Sequence, residues 1–402
     1  MATGRRSILI DARVNGLAGA HGIARSVMKL TGHMRAADDG LALRVLVNTC
    51  RPQIFPLSEL PAHAEVIDTD ITLGAVHRCR ELARLIRAVG AAALYSPYPV
   101  LTPLISPCPL VVTIHDCTIE SDLAFAGGWP RQAGLKLATR IVLRRAVATT
   151  APSQVSLAQI RHHYPAAPQL ILVPNGVDCS PYAAVTADNV TAARERYRLP
   201  GQFILTVGAH RPHKNHEVLV RALATLPGQV SLVIVGYFDP SFPDPLPGLI
   251  SALGLESRVL LVPDVAEEWL PAVYQAASVF AFPSLAEGYG LPVLEAMASG
   301  VPVVASDIPA LAEVAGPAAV LVPPREVSAW SGALAAVLAD PLLSARLSAA
   351  GRAAAAGVSW ERGASALRGL LSAAATGTLS RAASRAAPAD DGALPGAPVA
   401  AR

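Results

Sequence analysis

Short aliphatic runs alternate along most of this chain with longer stretches whose apolar positions recur every three or four residues. The first pattern is that of strands buried on both faces, the second that of helices lying over them. In the first half, the runs at 7–11, 43–48, 92–95, 110–114 and 170–173 predict strands, and the segments 22–34, 76–89, 131–147 and 156–164 predict helices. Alternation of this kind predicts a parallel sheet with helices on both sides. A turn cluster, Pro174-Asn175-Gly176-Val177-Asp178, then breaks the pattern, which restarts beyond about Asp188. Strands are expected at 203–207, 232–235, 259–262, 278–282, 303–305 and 320–322, with helices such as 217–226 and 269–276 between them. The restart predicts a second doubly wound sheet, so the expected fold is α/β, with one Rossmann-like domain over 1–180 and another over 188–357.

Beyond Leu371 the pattern fades. Residues 373–402 carry three prolines, no aromatic side chain and almost no large aliphatics. Such a segment buries too little surface to offset its chain entropy and is expected to be a disordered tail.

Composition narrows the function classes. The 402 residues are 52% hydrophobic and 16% charged, with a net charge of +3, which implies no field for nucleic acid. Residues 1–180 hold 18 Lys and Arg against 12 Asp and Glu, a net +6 that makes the first half the likelier face for an anionic partner. The five cysteines, Cys50, Cys79, Cys108, Cys117 and Cys179, are scattered without a C-x-x-C pair, so neither a zinc site nor a disulfide framework is expected, and a reducing, cytoplasmic compartment fits. The opening MATGRRSILI has too short an apolar run before its arginines for a signal peptide. The apolar region 94–114 is interrupted by Pro97, Pro99, Pro103, Pro107 and Pro109, which rules against a spanning helix.

The chemistry concentrates after two strands of the second half. In Pro283-Ser-Leu-Ala-Glu287-Gly288-Tyr289-Gly290-Leu291-Pro292-Val-Leu-Glu295, two glycines precede a proline suited to the first turn of a helix. The amides of Gly290 and Leu291 then lie at a helix N-terminus, suited to a diphosphate at the carboxyl edge of a parallel sheet. Glu287 in the loop and Glu295 a turn into the helix can face one crevice, the first toward a sugar and the second toward a ribose diol. The stretch Gly208-Ala-His-Arg211-Pro-His-Lys214-Asn215 follows another strand, and Lys214, helped by Arg211, can meet phosphate. His210, His213 and His216 are spaced across a loop and do not read as a metal site. His115, in Thr113-Ile-His-Asp, ends a strand of the first half and would point from the sheet's carboxyl edge into the crevice.

These residues resemble the retaining glycosyltransferases of family 4. Glu287 and Glu295 are separated by seven residues, as in the family's E-x7-E motif, and E-G-Y-G-L-P-V-L-E-A-M-A-S-G-V-P-V-V-A-S is similar to the family over its whole length. Glu313-Val-Ala-Gly316 is similar to P-E-V-x-G, with Ala312 in place of the proline, and an alanine, Ala209, stands where many members have an arginine after the glycine. The resemblance covers most of the chain. It implies a GT-B arrangement, the second domain binding the donor, the first supplying the acceptor site, and a final helix at 358–372 crossing back onto the first. It implies His115 and Glu287 as catalytic residues, and donor binding by Gly19, Gly22, Arg211, Lys214, Gly290, Leu291 and Glu295. Gly19 and Gly22 lie in G-x-x-G-x-x-G, similar to the family's flexible glycine loop, with Gly22-Ile-Ala-Arg25 standing for G-I-G-R.

The expected activity is retaining transfer of a hexosyl group, mannosyl by resemblance, from a GDP- or UDP-linked sugar to a glycan or lipid-linked acceptor in bacterial polysaccharide or glycolipid assembly. No cofactor beyond the nucleotide-sugar co-substrate and no metal are implied. Two other readings stand beside it. A dinucleotide-binding oxidoreductase would need G-x-G-x-x-G and an acid at the second strand's end, where Asn48 stands. A catalytically silent nucleotide-sugar-binding protein would not need the full set of His115, Lys214, Glu287 and Glu295. Asp68-Thr-Asp70 spells D-x-D but sits in a polar turn early in the chain and reads as solvated surface. Two basic stripes, Arg80, Arg84 and Arg87, and Lys136, Arg140 and Arg144, suit solvated helix faces or peripheral docking at the anionic inner face of a cytoplasmic membrane.

Overall fold

The strand Ser7–Asp11 is buried at all its positions, as the centre of a covered parallel sheet requires. In a computed structural model describing residues 6–17, 21–72, 76–99 and 106–379, it is β1 of a seven-stranded sheet. The others are β2 (Ala42–Val47), β3 (Ala64–Asp68), β4 (Ala91–Ser96), β5 (Leu110–Thr113), β6 (Ala148–Ala151) and β7 (Leu170–Leu172). Their spatial order is β3-β2-β1-β4-β5-β6-β7 and every pairing is parallel; Leu9, for example, lies opposite Arg44 on one side and Leu94 on the other.

The second sheet holds β8 (Gln202–Val207), β9 (Val230–Val235), β10 (Val259–Val262), β11 (Val279–Phe282), β12 (Val303–Ser306) and β13 (Ala319–Val322), in the order β10-β9-β8-β11-β12-β13. Its strands are parallel too, with Phe280 opposite Leu205 and Val303. The fold is α/β with two Rossmann-like sheets. Chain direction across each sheet reverses beside its first strand, between β1 and β4 and between β8 and β11, and the crevice at such a point is where ligands bind.

Two strands escaped the hydrophobic pattern. β3 is an edge strand with an exposed glutamate, so it shows no aliphatic run. β6, Ala-Thr-Thr-Ala, is fully buried but built from small residues: Thr150 Oγ1 lies 2.6 Å from Thr113 Oγ1, itself 2.7 Å from Tyr95 Oη, while Thr149 Oγ1 is buried without a partner.

The helix Trp360–Thr376 lies on the first sheet. Trp360, Ala364, Leu367, Leu371 and Ala374 share a core with Ile8, Ile10, Ala93 and Tyr95. Its approach to the linker is close enough to demand glycine. A Cβ on Gly176 would sit 2.2 Å from Trp360 N, and one on Gly363 would sit 2.1 Å from Pro174 O. The helix continues four residues beyond Ser372, with Ala374 and Ala375 buried, so the stretch expected as tail begins as packed helix. Small residues suffice there because the sheet supplies the apolar partner surface. The rest of the expected tail, 380–402, lies outside the described residues.

Candidate functional site

The loop after β8 ends in a single tight turn, Pro212–Lys214, followed by Asn215 in the left-handed conformation at φ 53°. Asn215 tolerates that region because its amide is used: Nδ2 donates to Pro283 O at 3.0 Å and Pro324 O at 2.7 Å. This ties the Lys214 loop to the end of β11. Lys214 Nζ then lies 2.6 Å from Glu287 Oε1 and 5.1 Å from the centre of the Phe282 ring. Arg211 turns elsewhere, donating from Nε to Asp239 Oδ2 at 2.8 Å and from Nη2 to Tyr237 Oη at 2.9 Å. The structure therefore joins Lys214 to Glu287 and engages Arg211 with a different carboxylate.

Gly290 caps the helix Leu291–Ala298 at φ 108°, and no side chain closes that N-terminus. Glu295 is 5% exposed. Its Oε2 accepts from Tyr274 Oη at 2.9 Å, and its Oε1 pairs with Arg25, which reaches across from the helix His21–Gly32 on the first sheet. Arg25 also pairs with Glu267 and lies over the Phe55 ring. Burial works against the Arg25 charge, but Glu295 and Glu267 outweigh it and hold the guanidinium's pKa above its ordinary value. Burial, reinforced by the Glu295 charge, drives the Tyr274 phenol far up. Arg25, Glu267, Trp269, Tyr182 and Glu295 line a cavity of about 860 Å³ between the two sheets.

His115 follows β5. Its Nε2 is 2.9 Å from Pro97 O, and since a carbonyl only accepts, Nε2 carries the proton and Nδ1 is left as an acceptor. Burial lowers the ring's pKa, so the ring is neutral at pH 7. The main chain of His115 touches the other domain: a Cβ on Gly288 would sit 1.9 Å from His115 O. Glu287 and His115 are thus brought to the two walls of one cleft.

The remaining candidates are spread out. Gly22 is in the first turn of its helix with open space beside it, and Gly19 lies outside the described residues. Asp68 accepts from Thr49 N at 2.9 Å and Thr49 Oγ1 at 2.7 Å, whereas Asp70 pairs with Arg78, so the D-x-D carboxylates have separate partners. His210 pairs with Asp244, and His213 sits edge-on to Phe125. Burial, then the neighbouring Lys214 and Arg211 charges, push His213 down to about 2. Among the described residues no three His, Cys, Asp or Glu side chains gather as a metal site. Asn48 accepts from Cys50 N at 3.2 Å, where a dinucleotide site would present an acid. Arg80, Arg84, Arg87, Arg140 and Arg144 are exposed, and no single helix among the described residues is long and apolar enough to cross a membrane.

Sequence reasoning missed Tyr274, Glu267 and Asp239 and left Arg25 without a role. The signal for Tyr274 was faint: a tyrosine in an apolar helix, whose hydroxyl needs a partner once buried.

Comparison with known proteins bears on this arrangement. Residues 191–354 match the family described as glycosyl transferases group 1, and residues 20–181 match glycosyltransferase family 4. The chain is 34% identical over 270 residues to a D-inositol 3-phosphate glycosyltransferase of Xylanimonas cellulosilytica, covering 64% of this chain and 65% of that one. It is 34% identical over 265 residues to the enzyme of the same name from Nocardia farcinica, covering 63% and 58%. The match thus spans less than two thirds of either relative. Among solved structures, sucrose-phosphate synthase from Thermosynechococcus elongatus superposes with TM-score 0.72 at 23% identity, over 91% of this chain and 98% of that one. Anabaena HepE in complex with UDP-glucose superposes with TM-score 0.73 at 20% identity, over 91% and 99%. These two share the fold.

Proposed function

Because this chain belongs to the family 4 glycosyltransferases of group 1 type, we propose that it transfers a hexosyl group, with retention at the anomeric carbon, from a UDP- or GDP-linked sugar to a hydroxyl-bearing acceptor. The observation that carries this is the Lys214–Glu287 pair at the ends of β8 and β11, next to Gly288, whose main chain meets that of His115 across the cleft.

In this reading Lys214 and the amides at Gly290 and Leu291 stabilise the charge that develops on the departing diphosphate, a task suited to fixed dipoles and a point charge. Glu287, released from Lys214 as the phosphate takes the lysine, accepts from the sugar hydroxyls. Ribose hydroxyls donate to Glu295 in place of Arg25, which keeps Glu267 as its partner. Neutral His115 offers Nδ1 as an acceptor beside the donor sugar. Arg211 contributes if the diphosphate draws it from Asp239.

The finer features follow from chemistry and likeness. The resemblance favours a mannosyl donor, while a neighbouring fold was crystallised with UDP-glucose. The curated relatives are named for an inositol phosphate, so a phosphorylated polyol joins glycans and lipid-linked sugars as an acceptor class. Activity independent of metal is supported by a diphosphate edge furnished with lysine and amides and by D-x-D carboxylates already spent on Thr49 and Arg78. Peripheral attachment to an anionic membrane is supported by the helix Trp129–Leu143, which exposes Trp129 at 71% and Leu137 at 59% beside Arg140 and Arg144.

A panel of UDP- and GDP-sugars, scored for thermal stabilisation and nucleotide release with and without EDTA, tests the proposal. Stabilisation and turnover by one donor, unaffected by chelator, is the expected result. Stabilisation without turnover across acceptors would leave the silent binding protein; turnover restored only by manganese or magnesium would overturn metal independence.

A further inference from the structure

We propose that Ser153 and Ser156 are positioning residues that hold the Glu287 loop in register with His115, so that closing the cleft and aligning its two walls are one event. The proposal rests on the reading of Glu287 and His115 as the working faces of the site.

Ser153 is the N-cap of the helix Gln154–His163. Its Oγ accepts from Ser156 N at 2.9 Å, an ordinary cap, but it also donates across the cleft to Gly288 O at 2.6 Å. Ser156 Oγ lies 2.9 Å from the same carbonyl and 3.1 Å from His115 O. Both serines are fully buried. One pair of hydroxyls therefore touches the residue next to Glu287 and the main chain of His115 together. Two further contacts brace the loop. Glu313 accepts from Gln154 N at 2.8 Å and Val155 N at 2.9 Å, placing a carboxylate of the second domain on the free amides of this helix in the first. Tyr289 Oη donates to Asn175 O at 2.9 Å.

Helix capping alone needs an acceptor at position 153 and nothing more. Both serines instead direct hydroxyls at Gly288 O of the far domain, at a position where a Cβ would fall 1.9 Å from His115 O and glycine is therefore required. The donor's phosphate and ribose ligands, Lys214 and Glu295, lie outside this contact. Loss of the clasp should therefore act on alignment and leave nucleotide affinity in place.

The variant Ser153→Asp separates the two roles, since aspartate caps a helix well yet has no proton to give Gly288 O and sets charge against it. Ser156→Ala, a smaller side chain that fits the same space, is its companion, and the two are also combined. Small-angle scattering of the ligand-free protein is the deciding measurement and needs no substrate. Folded Ser153→Asp/Ser156→Ala is expected to have a larger radius of gyration than wild type. With a donor that wild type turns over, kcat should fall about 10- to 100-fold, because ångström-scale misplacement of reacting groups has that effect, while UDP affinity by calorimetry stays the same. Scattering identical to wild type in the folded single and double variants would overturn the proposal, whatever turnover does. Failure of wild type to turn over any sugar nucleotide would overturn the functional reading instead, and the scattering result would still decide the clasp.

Discussion

Arg25 and Glu295 are 270 positions apart and form an ion pair across the cleft, with Tyr274 Oη donating to the second carboxylate oxygen at 2.9 Å. A buried carboxylate with both oxygens engaged is preorganised, and ribose hydroxyls can replace the guanidinium without leaving either oxygen bare. Glu295→Ala is expected to weaken UDP or GDP binding about 10- to 150-fold, since hydrogen bonds to a charged group are worth about 1.5–3 kcal/mol. Calorimetry on the folded variant decides this, and unchanged affinity would remove Glu295 from the ribose site.

Lys214 Nζ lies 2.6 Å from Glu287 Oε1. Lys214→Ala should lower kcat about 100- to 1,000-fold, the usual effect of removing one preorganised group from a developing negative charge. Steady-state kinetics with the donor found in the panel check it. A loss confined to KM would mean that the lysine binds substrate and transition state equally.

Removal of residues 380–402 should leave the melting temperature unchanged, whereas truncation after Ser372 should lower it, because Ala374 and Ala375 are buried against the first sheet. Differential scanning calorimetry compares the two. A stable protein ending at Ser372 would show that the last turn of the helix adds nothing.

His216 is 5% exposed and its pKa is pushed down to about 3, first by burial and then by His210 and Lys214. Between its folded and unfolded pKa values the unfolded chain binds a proton that the native state refuses, so stability present above about pH 6.5 is lost as pH falls. The slope is about 1.4 kcal/mol per pH unit, or about 2 kcal/mol between pH 6.5 and pH 5. His216→Gln should flatten the pH dependence of urea unfolding in that window. Parallel curves for variant and wild type would refute it.

The protein should sediment with anionic vesicles at low salt and leave them at high salt, because the Debye length shrinks from ~10 Å at 0.1 M to ~3 Å at 1 M. Replacing Lys136, Arg140 and Arg144 by Gln should weaken sedimentation, each basic residue being worth ~1 kcal/mol near an anionic surface. UDP binding should not change, since the residues proposed to hold it, Lys214 and Glu295, lie on the other sheet. Equal partitioning onto neutral and anionic vesicles would refute the electrostatic mechanism.

Aliphatic periodicity determined β1, buried at every position, and the half-buried edge strand β10 to the residue, because removing a continuous apolar run from water leaves the chain little choice. Local chemistry likewise determined the Lys214 turn and the Gly290-Leu291-Pro292 helix start, whose conformations depend on neighbours within a few positions. The tertiary structure alone decided which charges meet. Nothing near Arg25 in sequence announces Glu295, and nothing near Ser153 announces the carbonyl of Gly288, 135 positions away. It also decided that Arg211 takes Asp239 while Lys214 takes Glu287, though the two cations stand in one short loop. Even β6 belongs to this class, since Ala-Thr-Thr-Ala is a strand only where flanking strands satisfy its amides and cover its small side chains. Hydrophobic burial acts on composition along a segment and can be read there. Pairing of buried polar groups acts through space, so its partners exist only once the two sheets have closed on each other.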